Sequence, residues 1–108
     1  MPFRRIIDRS NGTPWPQAGM TTQRWIDEVQ PRHVQIRDLI ATQPHVILEA
    51  LTDTFMRDDA QAWSRDPYPH VVSWRGDLYL EDGHHRAIRA LLRNEAAMLA
   101  RVLHLDDA

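Results

Sequence analysis

The stretch from Val71 to Arg86 constrains this chain more than any other. Two short alternating apolar runs, Val71–Trp74 and Leu78–Leu80, flank Gly76-Asp77, the composition of a β-hairpin closed by a tight turn. Asp82-Gly83 then breaks the second strand, because glycine accepts the positive φ or close approach of a corner, and Asp82 is placed to cap a following helix. From His84 to Arg93, Ile88, Leu91 and Leu92 recur at helical spacing on one face, with Arg86, Arg89 and Arg93 on the other. This helix is expected to have a core side and a basic side.

Arg86 makes the corner more than a change of direction. A helix N-terminus carries about half a positive charge and several unpaired N–H groups, so a cation in its first turn calls for an anion nearby. Either Glu81 or Asp82 folds back onto Arg86, or a phosphate sits on the N–H groups with Arg86 and a histidine completing the cradle. The residues leave both readings open.

Strand, turn, strand, Asp82-Gly83-His84-His85-Arg86, an Ala/Leu-rich helix and a closing strand together resemble the core of the ParB/sulfiredoxin-like superfamily over Pro69 to Leu105. Upstream, Val34 to Gln43 resembles the opening strand and loop of that family. The resemblance implies an α+β fold: a small domain with a mixed β-sheet, a β-hairpin and two to three packed helices. In partition ParB proteins the equivalent corner reads Gly-Glu-Arg-Arg and binds the phosphates of CTP; in sulfiredoxins it reads Gly-Cys-His-Arg and binds ATP beside a catalytic cysteine. Here Gly83 and Arg86 match both patterns and His85 matches the sulfiredoxin histidine, while His84 stands at the cysteine position. The chain has no cysteine, which excludes sulfiredoxin-type thiol chemistry. The resemblance thus implies a nucleotide or other phosphate ligand at Asp82, Gly83, His84, His85 and Arg86. Arg89, Arg37 and Gln43 join as further contacts, and the implied cofactor is a nucleoside triphosphate with Mg²⁺.

At 108 residues the chain is expected to form one domain, residues 21–108, preceded by an N-terminal arm, residues 1–20. A formal charge of −2 gives no bulk electrostatic case for nucleic acid or membrane, so local patches must carry any such argument. No stretch approaches the roughly 20 apolar residues of a membrane span, and Met1 to Arg9 lacks a signal-peptide core, so a soluble, cytoplasmic protein is expected.

In chain order, Phe3–Asp8 reads as a short strand and Ser10 to Pro16 as a loop, with Trp15 anchoring the arm. Thr21 or Thr22 caps a helix through Val29 with Trp25, Ile26 and Val29 inward, and Pro31 stops it. Arg32–Arg37 alternates as a half-buried strand, with Val34 and Ile36 inward. After a loop at Thr42-Gln43, Pro44 opens a second helix to about Arg57 with an apolar stripe of Ile47, Leu48, Leu51 and Phe55. Asp58 to Pro67 is a polar connection, Asn94 a left-handed cap, Ala97–Leu105 a last strand and Asp106 to Ala108 a frayed tail.

Glu81 and Asp82 are the candidate ligands for a nucleotide-bound Mg²⁺, against a plainer role in capping and ion pairing. Adjacent histidines point about 100° apart on a helix, which disfavours a shared metal and favours one inward and one outward ring. Three functions follow. The first is a nucleotide- or phosphate-binding domain, with enzymatic activity left open. The second is a DNA-binding or nuclease-like accessory, favoured if Arg75, Arg86, Arg89 and Arg93 form one patch. The third is a non-enzymatic protein-interaction module, favoured if Trp15, Trp25 and Trp63 cluster on the surface. The oligomeric state is not legible.

Overall fold

A computed structural model describes residues 2–49 and 66–105. In order they form β1 (Arg5–Ile6), α1 (Thr22–Glu28), β2 (Pro31–Gln35), a 3-10 turn (Ile36–Asp38), β3 (Leu39–Ala41), α2 (Pro44–Glu49), β4 (His70–Trp74), β5 (Asp77–Asp82), α3 (His84–Leu92) and β6 (Ala97–His104). The six strands make one mixed sheet in the order β1-β3-β5-β4-β6-β2. The pairs β1–β3, β3–β5 and β4–β6 are parallel, whereas β4–β5 and β2–β6 are antiparallel. The α+β architecture with a mixed sheet, a hairpin and three helices agrees with the coarse fold that the resemblance implied.

Side-chain alternation along the strands divides the apolar residues between two faces. Val34, Val71, Leu80, Ala100 and Val102 pack with Ile47, Ala87, Ile88 and Ala90, which places α2 and α3 on one face. The opposite face carries Ile40, Val72 and Tyr79, covered by Trp15 of the arm and by Trp25 and Val29 at α1. Ile36, Leu39, Ile40 and Leu80 are fully buried, each worth about 1.5–3 kcal/mol of transfer free energy. The ends of α1 follow from its sequence: Thr21 Oγ1 accepts the Arg24 N–H at 3.2 Å, and Val29 closes it two residues before Pro31.

Several local expectations are corrected. The hairpin turn is Arg75-Gly76, both with positive φ (51° and 80°), one residue earlier than Gly76-Asp77. Asp77 instead begins β5, where its carboxylate accepts from Arg4 at 2.8 Å. Asp82 ends β5 and makes no cap; the N-cap of α3 is Gly83, at φ 101°. The first strand is shorter than Phe3–Asp8, and Arg32–Arg37 splits into β2 and the 3-10 turn. β3, only three residues and fully buried, lacks the alternation by which a strand is read. Leu92 and Leu48, placed on core faces by spacing, are 54% and 63% exposed. Asn94 does take the left-handed conformation, and the Glu95 N–H returns to Ala90 O at 2.9 Å to close α3. The expected helix beyond Glu49, most of the Asp58 to Pro67 connection and the tail from Asp106 lie outside the described residues.

Candidate functional site

The β5–α3 corner is built by contacts that its residues make inward. A Cβ on Gly83 would lie 2.7 Å from Pro69 Cβ, so both the left-handed φ and the close approach require glycine. His84 is 1% exposed, and its Nε2 accepts the Thr42 N–H at 2.9 Å, while Thr42 Oγ1 donates to Leu80 O at 2.7 Å. Burial, and after it the nearby charges of Arg9, His85 and His45, pushes the His84 imidazole down to about 3. It is a neutral acceptor that fastens α3 to the end of β3, leaving its buried Nδ1 without a hydrogen-bond partner among the described residues.

His85 and Arg86 are half-buried beside it. Burial works against the charge of Arg86, and Asp82 and Asp66 support it, so Asp82 does lie in the field of Arg86 as one reading of the corner required. Glu81 turns elsewhere: its carboxylate stands 3.6 Å from Arg9 Nη1 and 3.8 Å from His70 Nδ1. Burial raises the Glu81 carboxyl, the cation of Arg9 opposes the rise, and Asp82 adds to it. Glu81 falls at the register shift between β4 and β5, where its carboxylate faces Arg9 and His70 while Asp82 lies in the field of Arg86. Among the described residues no group of three His, Asp or Glu side chains gathers to hold a metal ion. Gln43 is half-buried and accepts the Val46 and Ile47 N–H groups through its carbonyl at the start of α2. Arg37 is exposed on the 3-10 turn. The candidate residues therefore converge only in part: Asp82 to Arg86 form one corner, and Arg89 extends it along α3.

A second polar constellation escaped the sequence. Asp66, fully buried, accepts from Arg101 Nε at 2.6 Å and lies 2.7 Å from His70 Nε2, and Arg101 Nη1 donates to Val29 O at 2.7 Å. Trp25 stacks on His70 with ring centroids 4.3 Å apart. Burial works against the charged form of Asp66, but hydrogen bonds from Arg101, His70 and the Tyr68 N–H outweigh it and hold the carboxyl below the usual range. The available signal was Arg101 itself: an arginine within the apolar alternation of β6 needs a buried acid.

Two openings flank α3. A groove of about 190 Å³ is lined by Arg86, Arg89, Ala90 and Arg93 of the helix, by Pro67 and Pro69, and by Glu95, Met98 and Leu99. An apolar hollow of about 290 Å³ lies between Pro2, Phe3, Ile6, Ile47, Ile88, Leu91 and Leu92. Arg75, the fourth arginine of the anticipated patch, is not part of either lining and sits over the Trp74 ring at 4.5 Å. Trp15 and Trp25 are 7% and 5% exposed, so they are core residues and not a surface cluster, and Trp63 lies outside the described residues.

The fold and these openings define a small α+β domain that buries His70, His84 and Asp66 in its interior and whose grooves present arginine and aliphatic side chains. It belongs to the antitoxin VapB-like family, whose model matches residues 2–106. No curated protein and no solved structure matches the chain. The family match corrects the ParB/sulfiredoxin-like resemblance and, with it, the reading of the corner as a nucleotide- or phosphate-binding site. The expectation of a nucleoside triphosphate with Mg²⁺ rested on that resemblance, and nothing independent of it carries it forward. The structure gives a physical reason why the resemblance misleads: Gly83 and His84 are dictated by Pro69 and Thr42, so a Gly-His pair at a strand–helix corner needs no ligand to explain it. Among the described residues no helix is long and apolar enough to cross a membrane.

Proposed function

We propose that this protein is an antitoxin that acts by binding and neutralising a protein toxin. The observation that carries the reading is the family match over nearly the whole chain, residues 2–106. The surface supports a protein partner: Leu92, Leu99 and Ile6 are 54%, 40% and 39% exposed, and each lines one of the two openings beside α3. The decisive experiment is growth rescue by co-expression with the toxin, identified as a protein that co-purifies in fixed stoichiometry and arrests growth when expressed alone. Growth should recover, and persistent arrest despite a purified complex would refute the reading.

One observation favours DNA as a further partner: Arg86, Arg89 and Arg93 line a single groove. Against it, α3 buries Ala87, Ile88 and Ala90 on the sheet, and Arg75 does not extend the patch. A gel-shift titration between 50 and 200 mM salt separates the cases, because binding through several phosphates weakens by orders of magnitude over that range.

A further inference from the structure

The sheet is incomplete beside α3. β6 spans Ala97–His104, but β4 pairs only with Arg101 to His104, so among the described residues Ala97 to Ala100 have a strand neighbour on the β2 side alone. Where β4 would continue, the chain reads Pro67-Tyr68-Pro69, and the Arg101 N–H is taken by Pro69 O at 2.9 Å. N–H and C=O groups alternate sides along a strand, so the Leu99 pair points the same way as the Arg101 N–H, into the groove. Proline has no N–H to offer the Leu99 carbonyl. The groove thus has an open strand edge as one wall and α3 as the other.

That second wall is cationic. Arg86, Arg89 and Arg93 recur at i, i+3 and i+7 on one stripe of α3, and among the described residues Glu95 is the one acid in the lining. Arg93 is exposed at the outer end; Arg86 and Arg89 have other contacts, but a guanidinium offers five N–H donors and serves more than one acceptor. Arg89 and Arg93 are four residues apart, about 6 Å along the helix axis. Side chains at i and i+2 of an extended chain are about 7 Å apart on one face. The residue between them would turn to the opposite face, where Leu99 is 40% exposed.

We infer that this groove takes an extended, carboxylate-bearing segment of a partner protein, added to the open edge of β6 with alternate acids on Arg89 and Arg93 and an apolar residue beside Leu99. Calling that partner the toxin rests on the antitoxin reading; the recognition chemistry does not. The pattern it reads is acid, apolar, acid along a strand.

The test uses the whole chain and a fluorescein-labelled peptide with the core Glu-Leu-Glu-Val-Glu, its twin with Gln at the three acidic positions, and a 20-base-pair duplex of arbitrary sequence. The acidic peptide should bind at least tenfold more tightly than its twin and slow exchange of the Leu99 amide, and Arg93→Glu should weaken it at least tenfold with an unchanged circular dichroism spectrum. Equal affinity for the two peptides, unprotected Leu99, or duplex DNA displacing the peptide overturns the inference. In the growth assay, an Arg93→Glu chain that still neutralises the toxin overturns the toxin as the occupant of this groove while the antitoxin reading stands. A wild-type chain that binds the peptide but never rescues growth sinks the antitoxin reading alone.

Discussion

Acid should weaken this protein through a histidine well before it reaches the carboxylates. His84 is 1% exposed and held neutral, with its imidazole pushed down to about 3, whereas the unfolded chain gives it the ordinary value near 6.5. A base with a lowered folded-state pKa leaves the unfolded state binding the extra proton between those two values. Stability is therefore complete above about pH 6.5 and falls as the pH drops, by about 1.4 kcal/mol per unit. From pH 7.5 to 4.5 the loss is about 2.7 kcal/mol, a large share of the 5–15 kcal/mol that holds a small domain together. Asp66 has the opposite displacement for an acid: its carboxyl lies below the model value of 3.8, so its contribution is lost only below about pH 4 and stays outside this window. Glu81, raised above 4.5, binds its proton earlier in the folded state and partly offsets the loss near the acid end. Urea unfolding at pH 4.5, 5.5, 6.5 and 7.5 should be compared for Glu81→Gln alone and with His84→Gln, since Gln keeps an acceptor for the Thr42 N–H without titrating. The double variant should give the flatter profile. Parallel profiles, or a His84 ring that titrates near pH 6.5 in the folded protein by NMR, would refute the neutral-acceptor assignment.

Two substitutions test the framework around this corner. Gly83→Ala puts a Cβ against Pro69 in a backbone conformation that alanine resists, and should cost about 2–4 kcal/mol in chemical denaturation; a cost below 1 kcal/mol would mean that α3 can shift away from Pro69. Asp66→Asn leaves the buried Arg101 cation without its carboxylate and should cost about 3–5 kcal/mol, whereas Asp66→Asn combined with Arg101→Met should cost less than the sum of the two single changes; strict additivity in a double-mutant cycle would deny the coupling.

What was legible in the sequence was what local pattern encodes. The hairpin, α3, the cap at Thr21, the left-handed Asn94 and the last strand all follow from periodicity and turn chemistry over a few residues. β3 was not legible, because three residues buried on both faces show no alternation. Leu92 followed helical spacing yet faces outward, since spacing assigns a stripe but does not say how far the core extends around the helix. The Asp66–His70–Arg101 cluster joins positions up to 35 residues apart, and only the parallel pairing of β4 with β6 brings them together. The corner misled for the converse reason: Gly83, His85 and Arg86 resemble a phosphate-binding corner over a few residues, while the partners that explain Gly83 and His84 here, Pro69 and Thr42, are distant in sequence.

Two ionisable groups that a sequence reader would offer to a ligand, His84 and Glu81, are engaged within the fold. His84 holds Thr42, Glu81 stands between Arg9 and His70, and Asp66 joins His70 to Arg101. Apart from the local Asp66–His70 pair, these contacts link segments distant in the chain: the arm to β5, the approach to β4 with β6, and through Arg101 the end of α1. Buried charges arranged this way are costly to break and specify register, because a slipped β4–β6 pairing would strand Asp66 or Arg101 without a partner. That register also fixes where β4 begins, and so among the described residues leaves the first half of β6 without a strand neighbour beside the arginines of α3. The buried cluster and the open groove are thus two consequences of one strand pairing. A substitution that loosens the cluster should disturb the groove before it unfolds the domain, with the Leu99 amide as the reporter.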